Sequence, residues 1–379
     1  MQRLPSLIFF LFFASAVIGQ NAVRFEIKSL PPYDNSDSEI FLAGSFNGWN
    51  PQDKNFQFNK TANGNYFLEI KLNSSYYEYK ITRGGWDKVE CTDSSEDVLN
   101  RQLKINSDTT IEITIQGWKD HFSPVAVKRK NTTGKNVQII DTAFLIPQLQ
   151  RTRRIWVYLP DGYNTSTHRY PVLYMHDGQN VFDDATSYAG EWGVDECIDT
   201  MKKKSIVVAI DNGGTKRLNE YCPYDFSLSG SVSGKGEGKQ YVDFIVKNLK
   251  PFIDKKYRTL TDSDNTFIAG SSMGGLISMY AILHYPEVFG GAGIFSPAFW
   301  VGPAIFDEIK NSGEKVKGRI YFYAGGAESE TMVPGTEKAY ELMKQFPNSK
   351  ETIVIVKDGL HNEPRWRIEF AEFYKWMIN

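Results

Sequence analysis

The run Ile268-Ala269-Gly270-Ser271-Ser272-Met273-Gly274-Gly275 limits what this chain can fold into more than any other stretch. It places G-x-S-x-G between an apolar, strand-like segment (Thr266 to Ala269) and an apolar, helix-like one (Leu276 to Leu283). A strand that turns at once into a helix holds its central Ser in a strained conformation and asks for small residues two positions away on either side. Ser272 then stands at a sheet edge, with the N–H of Met273 at the helix start directed at developing negative charge. A Gly/Ser turn before a helix can also be no more than an N-cap, but the flanking strand and helix favour a nucleophile.

Around this stretch strands and helices alternate. Strand patterns fall at Val137 to Leu145, Arg154 to Leu159, Pro171 to Met175, Ser205 to Ile210, Thr266 to Ala269, Gly291 to Phe295, Arg319 to Tyr323 and Thr352 to Val356. Helix patterns fall at Val194 to Lys203, Lys239 to Lys256, Gly275 to Leu283, Ala304 to Lys310, Thr336 to Gln345 and Trp366 to Met377. The last five strands are continuous apolar runs, as a parallel sheet covered on both faces requires. The expectation for residues 136–379 is an α/β class domain with the α/β-hydrolase fold.

Residues 20–118 read differently. Short alternating segments such as Val23-Arg24-Phe25-Glu26-Ile27 and Tyr77-Glu78-Tyr79-Lys80-Ile81 are separated by Gly48, Asn63-Gly64 and Gly84-Gly85. This is the pattern of an all-β, immunoglobulin-like sandwich. The polar stretch 119–135, with Ser123-Pro124 and Lys128-Arg129-Lys130, reads as a linker. At the start, Met1-Gln2-Arg3, an apolar run from Leu7 to Val17 and Gly19 read as a signal peptide over residues 1–19, too short to span a membrane. The expected location is secreted or periplasmic, with no membrane anchor.

The 379 residues suit two domains, and a net charge of −2 without a basic stripe argues against nucleic acid as a partner. Three cysteines are too few for a disulfide-built fold; a Cys197 to Cys222 bridge stays open, and the odd count leaves at least one thiol outside any pair. Asn59, Asn73, Asn131 and Asn164 begin N-x-[ST] matches, which matter only in a eukaryotic source. The absence of H-E-x-x-H, C-x-x-C and an Asp-rich calcium loop leads to an expectation of no metal and no cofactor.

A serine nucleophile needs a base and an orienting acid, which follow it in the chain in this fold. Of the two histidines after Ser272, His284 ends the helix that Ser272 begins, about three turns away. That leaves His361, in the turn-rich Asp358-Gly359-Leu360-His361-Asn362 after a strand. The acid should follow the preceding strand, so the candidates are Glu328 and Glu330; Glu328 is preferred, and Asp358 lies too near His361 in a tight loop. The N–H of Gln179, in Met175-His176-Asp177-Gly178-Gln179-Asn180, is the second oxyanion donor expected. Trp192, Arg217, Tyr221 and Trp300 are candidate pocket residues.

On these residues, and on MHDGQNVFD (Met175 to Asp183), AIDNGG (Ala209 to Gly214), KPFIDKKYRT (Lys250 to Thr259), FSPAFW (Phe295 to Trp300) and HNEPRW (His361 to Trp366), the segment from about Val137 resembles a family of α/β-hydrolase esterases. That family includes feruloyl and acetyl-xylan esterases, S-formylglutathione hydrolases, enterochelin-type siderophore esterases and mycolyl transferases. The resemblance covers roughly two-thirds of the chain. It implies Ser272 and His361 as catalytic pair and places the acid on Glu328. The departure is His176-Asp177-Gly178 where many members have a His-Gly pair, which bears on Gln179.

The front domain, through Ala43-Gly44-Ser45-Phe46-Asn47-Gly48-Trp49-Asn50-Pro51, resembles glycogen- and starch-binding modules. Their sugar-binding positions fall on Trp49, Trp86, Lys80 and Asn100. A flat indole matches the apolar face of a sugar ring, and amide and ammonium groups suit its hydroxyls. The expectation is a serine carboxylesterase acting through an acyl-enzyme on acylated or feruloylated carbohydrate, with an ester substrate as partner and polysaccharide too if the module binds it. Alternatives are a siderophore lactone or small-ester hydrolase, an acyltransferase, and a glycan-binding protein with an inactive hydrolase domain.

Overall fold

The computed structural model describes residues 20–34, 38–61, 63–95, 98, 100–122, 129–188, 190–227 and 233–378. The signal-peptide expectation and residues 123–128 of the expected linker lie outside them. The described residues form two compact units, one ending at residue 122 and the other starting at 129.

In the first unit, Asn21–Ser29 pairs antiparallel with Tyr66–Leu72 and parallel with Thr109–Thr114, and Asn59–Lys60 extends that sheet. A second sheet runs Phe41–Gly44, Ser75–Thr82, Arg101–Ile105. Alternate residues of the two sheets, Val23, Phe25 and Ile27 from one and Leu42, Tyr79, Ile81 and Leu103 from the other, share one core. Phe25 meets Tyr79 edge-on, ring centres 5.4 Å apart. The period of two seen in the sequence is therefore the inside-outside alternation of a strand-rich, two-sheet unit.

The second unit is built on an eight-stranded sheet. Its strands are β1 (Val137–Ile146), β2 (Arg151–Tyr158), β3 (Val172–His176), β4 (Ile206–Ile210), β5 (Thr266–Ser271), β6 (Gly291–Phe295), β7 (Arg319–Gly325) and β8 (Lys350–Val356). They lie in the order β1-β2-β4-β3-β5-β6-β7-β8, with β1, β2 and β4 joined antiparallel and the remainder parallel. Every residue of β3, β4, β5 and β6 is buried, whereas edge strands β1 and β8 are partly open. Of the five continuous apolar runs, β4 to β7 are covered on both faces as expected, but β8 is an edge strand and stays partly open, so the expectation is corrected there. This is the α/β-hydrolase arrangement. β3 leads to β4 on one side and β5 leads to β6 on the other, so the switch point lies between the neighbouring strands β3 and β5, where a crevice opens at the carboxyl ends.

The helix Met273–His284 is buried along its whole length except at His284, which explains why its sequence is apolar all round instead of striped. Val194–Thr200 stops three residues short of the expected Lys203, and three other helices differ from their sequence outlines at a proline. Lys239 to Lys256 is not one regular helix: Gly238–Phe244 passes through a wider turn at Ile245–Leu249 into Lys250–Lys256. Pro251 cannot donate to residue 247 and would crowd its carbonyl, and the wider turn relieves both. Met332–Met343 and Glu363–Met377 begin earlier than the patterns, because Pro334 and Pro364 sit in first turns, where no N–H is needed. Cys197 and Cys222 are both thiols, so the bridge left open above is not formed. Cys222 is buried and Cys197 partly so.

The elbow glycines are not equivalent. A Cβ on Gly270 would lie 2.9 Å from His176 Cδ2 and 3.0 Å from the Gly274 backbone, but one on Gly274 meets nothing nearer than 3.4 Å. The requirement for smallness on both sides is therefore corrected to one side. Gly270→Ala should destabilise by about 1–3 kcal/mol through overpacking. Gly274→Ala should be neutral or slightly stabilising, because Ala is the better helix former. Comparable losses of Tm for the two variants would contradict this packing.

His176, at the end of β3, is 3% exposed, and its Nδ1 lies 3.0 Å from Tyr241 Oη. Burial pushes its pKa down from 6.5 to about 3, so the fold favours the neutral ring. Its contribution to stability is complete above pH 6.5 and is lost as the pH falls from 6.5 towards 3. Urea unfolding of His176→Gln should therefore show a shallower loss of stability over that window than wild type, by on the order of 5 kcal/mol. Identical slopes would show that the ring takes up a proton in the folded protein.

Candidate active site

Ser272 caps the helix Met273–His284 with φ 60° and ψ −120°, a left-handed region that a serine occupies only under constraint. The constraint is visible as hydrogen bonds. Its N–H donates to Phe295 O (2.9 Å), and its carbonyl accepts from Gly275 (3.1 Å), Leu276 (3.2 Å) and, across the loop after β6, Ala298 (3.0 Å). Met273 is the first helical residue, so its N–H has no acceptor within the helix and points out of the helix start. Strand end and helix start together bring a partly exposed hydroxyl and an unspent donor to one place.

Glu328 and His361 come from the loops after β7 and β8. Glu328 Oε2 lies 2.7 Å from His361 Nδ1, and Glu328 Oε1 accepts from the Gly325 N–H (2.7 Å) and the Ser296 hydroxyl (2.6 Å). The carboxylate side chain is 1% exposed and the imidazole 38%. Engaging Nδ1 leaves Nε2 as the nitrogen that can exchange a proton with a nucleophile. Glu330, the other acid considered, is exposed.

The turn after β3 is pinned from below. Asp177 adopts φ 56°, and Gly178 follows where a Cβ would sit 2.8 Å from the Ile210 and Asp211 backbone. The Asp177 carboxylate accepts from Arg217 Nε (2.7 Å) and Nη2 (2.8 Å) and from Asn212 Nδ2 (2.7 Å), while its own N–H donates to Tyr221 Oη (3.2 Å). Burial alone would raise the pKa of Asp177; the charge and hydrogen bonds of Arg217 overcome it and hold the pKa below the ordinary value. The acid in His-Asp-Gly is thus an anchor for the turn. Gln179 follows it, with its Oε1 accepting from Asn212 N–H (3.2 Å) and its carbonyl from Thr186 Oγ1 (2.7 Å).

The four expected pocket residues divide. Trp300 is 43% exposed, and Arg217 is partly exposed with its guanidinium paired to Asp177. Trp192 and Tyr221 are 3% and 0% exposed, so they are packed beneath the site and do not form its walls. The reason is that both are committed to neighbours: Trp192 stacks on Trp366 (5.7 Å), and the Tyr221 hydroxyl holds Asp177. Sequence reasoning missed Ser296, Trp366, Asn180 and Glu363. Asn180 accepts from Tyr188 N–H (3.0 Å) and donates to Glu363 (2.9 Å), linking the loop after β3 to the segment after His361. Their only signal was membership of the FSPAFW, MHDGQNVFD and HNEPRW runs.

In the first unit, Trp49 and Trp86 are partly exposed with ring centres 6.2 Å apart, tilted by 44°. Lys80 Nζ donates to Val98 O (2.7 Å), and Asn100 Nδ2 to Glu78 Oε2 (3.2 Å). The two tryptophans thus come together, while Lys80 and Asn100 each bond to protein groups. Among the described residues no group of three or more His, Cys, Asp and Glu is placed to hold a metal, and no helix is long and apolar enough to cross a membrane.

The family model described as "Putative esterase" matches residues 146–377. An endo-1,4-beta-xylanase/feruloyl esterase of Xylanibacter ruminicola is 30% identical over 245 residues, 63% of this chain and 31% of that protein. An alpha-amylase of Niallia circulans is 34% identical over 102 residues, 26% of this chain and 8% of that one. The chain thus spans less than a third of either relative's length. The crystal structure of enterochelin esterase from Shigella flexneri aligns with a TM-score of 0.51 at 15% identity, covering 96% of this chain and 97% of that one, a likeness of fold. With a match over more than half its length and an α/β-hydrolase sheet, this chain belongs to the esterase family and is a carboxylic ester hydrolase.

Proposed function

We propose that the protein is an exported serine esterase that cleaves acylated or feruloylated carbohydrate through a Ser272-His361-Glu328 triad. The observation that carries this reading is the 2.7 Å bond between Glu328 and His361, on loops at the same sheet edge as the strained Ser272. In the reaction His361 Nε2 takes the Ser272 proton as Oγ attacks the ester carbonyl, and Glu328 steadies the resulting imidazolium. The N–H groups of Met273 and Gln179 hold the oxyanion. The imidazolium then protonates the departing alcohol, leaving an acyl-enzyme that water, activated by the same histidine, hydrolyses.

The carbohydrate part rests on the paired Trp49 and Trp86 and on similarity to a xylanase/feruloyl esterase and an amylase. Two indoles tilted by 44° suit a curved glycan better than a flat one. Export rests on the apolar run from Leu7 to Val17.

Ser272→Ala and His361→Ala should each lower kcat by about 10⁴- to 10⁶-fold with folding intact, and Glu328→Gln by about 10²- to 10⁴-fold. Glu330→Gln should behave as wild type; a larger loss there than at Glu328 would move the acid. Steady-state hydrolysis of p-nitrophenyl acetate measures all four.

Trp86→Ala should weaken retention of the full chain on α-glucan or arabinoxylan by about 1–3 kcal/mol, by analogy with bases stacked on aromatics. Activity on p-nitrophenyl acetate should be unaffected, because local enrichment does not touch acyl transfer. If wild type is not retained on either polymer, but hydrolyses a catecholate trilactone faster than methyl ferulate, the substrate is a small lactone and the first unit is a spacer.

A further inference from the structure

Two residues outside the triad lie in a chain of hydrogen bonds with a fixed direction. Trp366 Nε1 lies 2.9 Å from Ser296 Oγ, and Ser296 Oγ lies 2.6 Å from Glu328 Oε1. An indole N–H only donates, so the serine oxygen must accept from it. The single hydroxyl proton of Ser296 is then committed to Glu328, and it cannot rotate elsewhere without breaking the bond. With the Gly325 N–H, Glu328 Oε1 has two donors, which fixes the carboxylate plane and turns Oε2 to His361 Nδ1.

The surroundings hold this chain in place. Ser296 is 0% exposed and takes a positive φ of 42°, its N–H bonded to Tyr323 O (2.7 Å). A serine accepts that backbone only where neighbours over-determine it. The Trp366 ring is stacked on Trp192 at 5.7 Å and stands edge-on to His361 at 5.0 Å. One indole thus sets the hydroxyl that orients the acid and also limits the tilt of the base.

We infer that Ser296 and Trp366 are positioning residues for the reaction: Trp366 directs the Ser296 hydroxyl onto Glu328, and that bond aligns the carboxylate with His361. The inference rests on the triad proposed above. It assigns work to the Ser of F-S-P-A-F-W and the last Trp of H-N-E-P-R-W, and gives the buried Trp192 a reason to stack where it does.

The test uses the full chain with Ser296→Ala, Trp366→Phe and Glu328→Gln. Ser296→Ala should lower kcat by about 10- to 100-fold, the size seen when partners that orient a functional histidine are removed, with KM unchanged. Trp366→Phe keeps an aromatic side chain, smaller than the indole, and removes the N–H, and should lower kcat in the same direction by a smaller factor. The diagnostic readout is the far-downfield proton resonance of His361 Nδ1–H at low pH. It should be present in wild type, absent in Glu328→Gln, and shifted or broadened in Ser296→Ala and Trp366→Phe. A purely packing role would lower Tm and leave the resonance in place. An unaltered resonance and kcat in both Ser296→Ala and Trp366→Phe, with Glu328→Gln impaired, overturns the positioning role while the triad stands. Full activity and an unaltered resonance in Glu328→Gln overturn the triad first, and this inference with it. If Ser296→Ala does not fold, Trp366→Phe alone decides.

Discussion

The site depends on one backbone conformation, the left-handed twist at Ser272. No loop separates β5 from the helix that follows, so one residue must absorb the change of direction, and its hydroxyl is thrown clear of both elements. The cost of that conformation, about 1–3 kcal/mol, is borne by bonds from elsewhere. They come chiefly from β6 and the loop after it, through Phe295 and Ala298. The same loop supplies Ser296, so the segment that holds Ser272 also reaches Glu328. Catalytic geometry here is a property of adjacent strand ends, and the strand order makes those ends adjacent. Placing β3 between β4 and β5 puts the Gln179 turn next to the elbow although some ninety residues separate them in the chain.

What could be read from the sequence followed the physics of burial. Strands covered on both faces must be continuously apolar, and β4 to β7 were plain for that reason, whereas β8 carries the same pattern at an open edge. Ser272, His361 and Glu328 could be singled out because each sits at a strand end, in a loop whose order along the chain the fold prescribes. Glu328 was preferred over Glu330, and the structure buries the one against His361 and exposes the other. Helix limits near Pro251, Pro334 and Pro364 were misjudged because proline breaks a helix in its interior and is tolerated in its first turn, a distinction that periodicity alone does not make.

Pocket residues were harder to identify for a different reason. Trp192 lies in a loop and Tyr221 ends the short helix Arg217–Tyr221, segments too irregular or too short for sequence to carry a period that tells an inward side chain from an outward one. Both turn inward, one to stack under Trp366 and one to hold Asp177. The departure at His176-Asp177-Gly178 also becomes intelligible. A carboxylate clamped by Arg217 and Asn212 fixes a turn whose first residue has positive φ. In the first unit, the parallel pairing of Asn21–Ser29 with Thr109–Thr114 joins segments some eighty residues apart, a relation that no local pattern encodes.

The clamps on Ser272 also bear on when reactivity appears during folding. The residue's twist is not a local preference, and the Phe295 carbonyl that secures it is in place only once β6 has paired with β5. Glu328 and His361 arrive with β7 and β8, the last two strands of the chain. A newly made or extended chain therefore carries an ordinary serine with no partner and no oriented donor. With the triad proposed above, hydrolytic power switches on as the final third of the sheet closes, so a chain that stalls before that point is inert towards esters around it.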